Sequence, residues 1–149
     1  MARESEARTV ARARRGARKL LVQALYQLQI SETPWQDLYQ QYTAEPEAAG
    51  ADAEYFRELL KRIAAERDGL DATLARFSDI EPKRLDPVEH GILWLALAEL
   101  EHRPDVPFRV AISEAVELAK RFGAVDGHKF VNGVLDRAAV ALRPHERST

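Results

Sequence analysis

The amino-acid sequence predicts an all-α fold. Apolar residues recur every three or four positions through most of the 149 residues, and no segment shows the strict alternation of a half-buried strand. Short connections rich in proline, glycine and small polar residues separate about seven helical pieces. These observations together predict a packed bundle of helices.

The composition is that of an ordinary globular protein, and at this length we expect a single domain. The chain has no cysteine, which excludes disulfides, thiolate catalysis and cysteine-based zinc sites. It is also compatible with a reducing cytoplasm, where we expect the protein to reside. The N-terminus lacks the apolar stretch of a secretory signal, and the apolar run 92–98 is too short to span a bilayer.

Basic residues are concentrated at the N-terminus, although the formal net charge is −2. We expect residues 1–9 to be frayed because they lack an apolar stripe, which leaves a flexible basic arm over about residues 1–10. From 31 to 55 there is no lysine or arginine. This segregation indicates a local surface for an anion, and a merely solvated arm is the alternative.

The first helix is predicted from about Ala11 to Ile30. Its core face consists of Leu21, Ala24, Leu25 and Leu28, which recur at helical spacing. A second face at the same spacing carries positive charge, then an amide, then an aromatic ring. Cations bind phosphate, an amide can read a base edge and a ring can stack on an unpaired base. This face comprises Arg12, Arg15, Lys19, Gln23 and Tyr26.

The middle of the chain contains two further helical regions. Ser31 or Thr33 is expected to cap a short helix whose aromatic stripe we interpret as core. After an acidic loop at 43–52, a long helical pattern begins at Ala53. We expect an interruption at 69–71, with Asp71 capping the restart, and an end before Pro82.

The clearest helix start is Asp86-Pro87-Val88-Glu89, where Asp86 can cap and Pro87 suits the first turn. The helix that follows is apolar almost all round, so we expect it to be the central, most buried element. Two more helices are predicted, over about 110–122 and 128–142. We interpret the remainder, about 143–149, as a polar tail.

No arrangement of residues predicts catalysis. The four histidines lack metal-ligand spacing, and the serines lie in no nucleophile pattern. Neither of the phosphate-binding motifs GxxxxGK(S/T) and GxGxxG occurs. The sequence therefore predicts a protein that is not an enzyme, with no catalytic residues, no metal site and no cofactor.

A second positive element begins the last helix. His128 and Lys129 lie in its first turn, where backbone N–H groups and the helix dipole favour an anion such as phosphate. Phe130 is expected to be partly exposed and able to stack on a base, and a place in the core is the alternative. Our hypothesis is that the two cationic helix beginnings converge on one unpaired RNA strand.

The sequence resembles the NusB family of bacterial antitermination factors. The resemblance rests on ARRGARKLLVQALYQLQI, YFRELLKRI and VPFRVAISEAVELAKRFGAVDGHKFVNGVLDRAA, and it covers nearly the whole chain. It implies two small packed helical bundles. It also implies binding to boxA, a single-stranded element of nascent ribosomal RNA, together with the ribosomal protein NusE. RNA polymerase and other Nus factors would be indirect partners, and the chain would be a monomer or homodimer without membrane contact.

The resemblance also implies roles for particular residues. Those implied to contact RNA are Arg12, Arg14, Arg15, Arg18, Gln23, Tyr26, Asp126, His128, Lys129 and Phe130. Those implied to face the protein partner are Glu89, Pro107 and Phe108. Gly16 departs from the family, whose members often carry a basic residue at that position.

Two other functions compete with antitermination. One is a NusB-like interaction domain of the kind that precedes some ribosomal-RNA methyltransferases, and we expect it less because no methyltransferase region follows before Thr149. The other is a helix-turn-helix DNA binder, which is disfavoured because no helix combines a short turn with an exposed base-reading face.

Overall fold

The computed structural model describes residues 2–147, and this part of the chain contains helices and no strand. The prediction of an all-α fold is confirmed. Short 3-10 helices occupy Pro46–Ala48 and Pro82–Arg84. Among the described residues the α-helices are α1 Ala2–Ser31, α2 Trp35–Thr43, α3 Ala53–Ala65, α4 Arg67–Ala75, α5 Pro87–His102, α6 Phe108–Phe122, α7 Gly127–Leu142 and α8 Pro144–Arg147.

The chain divides into two compact units between Ala64 and Ala65. The first contains α1, α2 and nearly all of α3, and the second contains α4 to α8. The single-domain interpretation stays a prediction. The predicted arm and tail extend to Met1, Ser148 and Thr149, which lie outside the described residues.

The first helix was predicted to begin at about Ala11, but α1 begins at Ala2, includes the segment that we expected to be frayed, and continues to Ser31. The segment contains neither proline nor glycine before Gly16, so a helix that starts in the packed part can propagate into it. An ion pair between Arg8 and Glu4 at 3.5 Å adds local support one turn apart. The basic arm is therefore helical and solvent-exposed.

The core of the first unit is built on α1. The predicted stripe of Leu21, Ala24, Leu25 and Leu28 is buried, as expected. This helix packs against α2 and the 3-10 helix Pro46–Ala48. Neither Ser31 nor Thr33 caps α2: their hydroxyl oxygens lie 2.6 Å apart, and Pro34 occupies the N-cap position.

The second unit is organised around α5, which packs against α4, α6 and α7. All residues from 89 to 100 are buried, so the prediction of a central helix is confirmed. The predicted cap is also confirmed, since Asp86 Oδ1 accepts hydrogen bonds from the N–H of Val88 at 2.9 Å and of Glu89 at 3.4 Å.

The break before α4 differs from the prediction. The break between α3 and α4 falls at Glu66 and not at 69–71, and Asp71 lies inside α4. Asp71 Oδ1 accepts a hydrogen bond from Trp94 Nε1 at 2.8 Å and lies 2.6 Å from His90 Nε2. Asp71 therefore ties α4 to α5 instead of capping a helix.

Candidate nucleic-acid interface

The predicted RNA-binding face of α1 lies on the outside of the first unit. Arg12, Arg15, Gln23 and Tyr26 are exposed, and Lys19 is half-buried. Tyr26 is 44% exposed, which is enough for a base to stack on one face of its ring. Along this face exposed arginines are thus followed by an exposed aromatic ring.

Two arginines that the family resemblance assigns to RNA have a different environment. Arg18 is only 3% exposed, and its guanidinium carbon lies 5.7 Å from the ring centre of Tyr55. Arg14 is half-buried, with its guanidinium carbon 4.6 Å from the centre of the same ring. Tyr55, on α3, thus holds both cations by cation–π contacts. The structure corrects the expectation for Arg18, whose side chain does not belong to the exposed face.

Gly16 has a packing role in α1. A Cβ atom at this position would lie 3.1 Å from Ala51 Cβ and 3.2 Å from Ala51 Cα. The neighbouring Asp52 N–H donates to the Ala13 carbonyl at 2.9 Å, which holds the segment against the helix. The glycine therefore permits close backbone approach, and a basic residue here would displace the segment.

The second cationic element lies in the first turn of α7. Lys129 is exposed, and its Nζ lies 3.4 Å from Asp126 Oδ1, while His128 and Phe130 are half-buried. The N–H groups of Gly127 and Lys129 already donate to the carbonyls of Ala124 and Asp126. The start of α7 therefore offers fewer backbone N–H donors to a phosphate than expected. The main positive charge at this helix end is the ammonium group of Lys129.

The residues expected to face a protein partner are mostly interior. Glu89 is 8% exposed and Phe108 is 5% exposed, whereas Pro107 lies on the surface. The Phe108 N–H donates to Glu146 Oε2 at 3.0 Å, and this hydrogen bond lowers the pKa of the Glu146 carboxyl. The sequence could not predict that Glu89 and Phe108 are buried, because it does not show which neighbouring element packs against a given side of a helix.

An open cleft of about 360 Å³ lies beside Phe108, between α6 and α7. Both apolar and polar side chains contribute to its walls. It is lined by Phe108, Arg109, Ile112, Ser113, Val116, Glu117, Asn132 and Asp136.

Comparison with known proteins shows the family of this chain. A sequence model described as the NusB family matches residues 15–140. The chain belongs to the NusB family. It is 48% identical over 132 residues to a transcription antitermination protein NusB from Idiomarina loihiensis, covering 89% of this chain and 95% of that protein. For the protein of the same name from Pectobacterium carotovorum the identity is 50% over 131 residues, covering 88% and 94%.

The fold agrees with that of a solved NusB. A NusB structure from T. maritima matches with a TM-score of 0.76 and 30% sequence identity, covering 91% of this chain and 97% of that one. The NusB-like fold expected from the closing motif is thereby confirmed. The residues that the family model matches, 15–140, include α1 from Arg15 onward and nearly all of α7, whereas Arg12 and Arg14 precede them.

Sequence reasoning missed one structural arginine of this NusB chain. Arg143 was assigned to a polar tail, but it is buried and donates to the carbonyls of Glu99, Leu100 and Arg103 at 3.1, 2.8 and 2.8 Å. It also forms an ion pair with Glu146, three residues further on. An arginine directly after a predicted helix end, with a glutamate at that spacing, is the signal that indicates such a cap.

Two absences apply to residues 2–147. No group of three or more histidine and carboxylate side chains in this range is arranged to hold a metal ion. No helix in the same range is long and apolar enough to cross a membrane.

Proposed function

We propose that this protein is a transcription antitermination factor. In this proposal it binds single-stranded boxA RNA of nascent ribosomal RNA together with the ribosomal protein NusE. The complex then acts on RNA polymerase, with other Nus factors, to suppress termination in the cytoplasm. Support comes from membership of the NusB family and from the name transcription antitermination protein that its relatives carry.

The observation that carries the proposal is the exposed face of α1. Arg12 and Arg15 are exposed on the same helix side as Gln23 and Tyr26. This order places phosphate-binding groups on one part of the face and a base-stacking ring on another. An RNA strand with unpaired bases can use both at once, whereas a duplex keeps its bases stacked and out of reach.

The start of α7 supplies a second RNA-binding surface in this proposal. Lys129 contributes a positive charge, with a side chain that is 71% exposed. Phe130 is half-buried, so at most one part of its ring is available to a base. We assign phosphate binding to Lys129 and a supporting contact to Phe130, and we retain His128 and Asp126 as neighbours that orient the turn.

RNA binding is expected to fall steeply with salt. If about four phosphates are neutralised, log K should decrease with log salt at a slope near −3 for a single strand. Between about 50 and 200 mM salt this amounts to a loss of roughly 50-fold. Filter binding with a boxA-like RNA at several salt concentrations measures the slope directly. Equal binding of a scrambled RNA or of duplex DNA would contradict the proposed specificity.

Lys129→Ala provides the matched test of the α7 surface. We expect this variant to weaken all single strands to a similar degree and to reduce the salt slope by about 0.7, the contribution of one phosphate. Lys120→Ala is the control, because Lys120 is an exposed lysine in the same unit outside the proposed surface. Equal slopes for the two variants would remove Lys129 from the interface.

The cleft between α6 and α7 is our proposed contact for NusE. It adjoins Phe108, and exposed Pro107 immediately precedes the helix that forms one wall. Glu89 is buried, so we no longer assign it a direct contact with the partner. The partner would insert an apolar side chain between Ile112 and Val116 and meet polar groups at the rim.

NusE is expected to tighten binding to boxA RNA by about tenfold, within the usual range of coupling between two ligands. Ser113→Arg should abolish this gain, because it places a bulky charge in the cleft while leaving RNA affinity without NusE unchanged. Val140→Arg is the control, since Val140 is 54% exposed and does not line the cleft. Titrations of labelled RNA with and without NusE measure both effects. An undiminished gain for Ser113→Arg would rule out the cleft.

A further inference from the structure

The side chain of Glu89 reaches from the first turn of α5 into the connection between α6 and α7. The Ala124 N–H lies near its carboxylate and lowers the pKa of the carboxyl. The residue is 8% exposed, and its Oε1 atom is buried without a hydrogen-bond partner among the described residues. A buried acceptor without a partner costs about 1–3 kcal/mol, so a purely structural site would more readily accommodate an apolar side chain.

Gly127 is the residue that makes room for this carboxylate. A Cβ atom at position 127 would lie 1.6 Å from Glu89 Oε1 and 2.7 Å from Glu89 Cδ. Both distances are far inside van der Waals contact, so any side chain at 127 forces the Glu89 carboxylate out of this position. The carboxylate thus occupies the space that glycine leaves open.

The contact lies directly under the start of α7. Asp126 adopts the left-handed conformation with φ of 63°, and Gly127 is the first residue of the helix. The Gly127 N–H donates to the Ala124 carbonyl at 3.0 Å, and the Lys129 N–H donates to the Asp126 carbonyl at 3.1 Å. A shift of Gly127 is therefore transmitted through this turn to Lys129 and Phe130.

The environment penalises the charge on Glu89. Burial raises the pKa of its carboxyl, the nearby Asp86 raises it further, and the Ala124 N–H opposes both. The contact that places the group against the turn is its close fit to Gly127. Its main structural effect is to fix the position of the connection from 124 to 127.

We propose that Glu89 is a positioning residue for the RNA-binding surface at the start of α7, acting through its contact with Gly127. This inference rests on the proposed function, because it concerns the presentation of Lys129 and Phe130 to RNA. In this proposal Glu89 acts through Gly127 and not through a contact of its own with RNA. Its role is to hold the turn so that the cation and the ring keep their places on α7.

Gly127→Ala is the direct test. We expect it to weaken boxA-like RNA binding by about tenfold, near the lower end of what the loss of a stacked base costs. The unfolding midpoint in urea and the circular dichroism spectrum check that the variant is folded. Gly133→Ala is the matched control on the same helix, since its added Cβ would meet only Arg137 Nη1, at 3.6 Å. This control should bind RNA like the unmodified protein.

Two double variants distinguish positioning from a general loss of structure. In Gly127→Ala with Lys129→Ala, the lysine change should cost much less affinity than it does alone, because Lys129 is already displaced. Glu89→Ala alone should weaken RNA binding as Gly127→Ala does, and the pair should bind no more weakly than either single variant, because each change already removes the same contact. Glu89→Gln keeps the shape and the acceptor for the Ala124 N–H, and it should bind normally.

The outcomes separate this inference from the proposed function. Failure of the unmodified protein to bind single-stranded RNA would overturn the proposed function and this inference with it. Normal RNA binding by folded Gly127→Ala would overturn the positioning role alone. Losses that simply multiply in both double variants would also overturn it, since they would show no coupling between Glu89, Gly127 and Lys129.

Discussion

Arg143→Ala is expected to lower the free energy of unfolding by about 3 kcal/mol, the largest effect on stability that we predict for a single polar residue. The Arg143 guanidinium donates to the carbonyls of Glu99, Leu100 and Arg103 at the C-terminus of α5. The Glu99 and Arg103 carbonyls also accept from the N–H groups of Arg103 and Val106, at 2.9 Å each. The Leu100 carbonyl lies four residues before Pro104, which has no N–H to donate to it. The alanine variant leaves them without the buried donor, and urea unfolding followed by circular dichroism measures the loss.

Two variants make the Arg143 prediction specific. Arg143→Lys should recover only part of the stability, because an ammonium group cannot reproduce the planar fork of donors. Arg109→Ala is the control, since Arg109 is exposed and its loss should change stability by no more than about 0.5 kcal/mol. The prediction fails if Arg143→Ala and Arg109→Ala unfold at the same urea concentration.

Tyr26→Ala is expected to weaken binding of boxA-like RNA by about 1–3 kcal/mol, or roughly five- to 150-fold, if a base stacks on this ring. The residue is 44% exposed, so its truncation should have little effect on the packing of α1. Tyr26→Phe keeps the ring and should retain most of the affinity. Fluorescence anisotropy of labelled RNA at constant salt measures these differences.

The control for Tyr26 lies one turn further along the same helix. Ile30 is 60% exposed and apolar, but it has no ring to stack on a base. Ile30→Ala should therefore bind RNA with unchanged affinity. If Tyr26→Ala and Ile30→Ala bind equally well, the stacking role of Tyr26 is wrong and the RNA affinity of α1 comes from its cations alone.

Much of the fold could be predicted from the sequence because local chemistry determines it. The apolar stripe of α1 recurs at helical spacing, and the structure buries it. The Asp86-Pro87 start of α5 follows from a side-chain cap and a fixed backbone angle, which need no distant residue. The outward face with Arg12 and Tyr26 follows from the same periodicity, since it lies away from the stripe.

Errors arose where distant residues decide the outcome. Asp71 has the chemistry of a helix cap, yet Trp94 donates to it from α5. Arg18 belongs to a basic cluster in sequence, yet Tyr55 on α3 covers it. Helical spacing assigns a side chain to a face of its own helix, but it does not identify the neighbour that packs there.

By itself the sequence determined the helical class, the central helix α5 and the exposed cationic and aromatic face of α1. These features depend on the periodicity and capping of single segments. Only the tertiary structure decided that Glu89 packs under Gly127, that Arg143 caps α5 and that Arg18 is buried. Each of these depends on contacts between residues far apart in the chain, and such contacts exist only once the helices have packed.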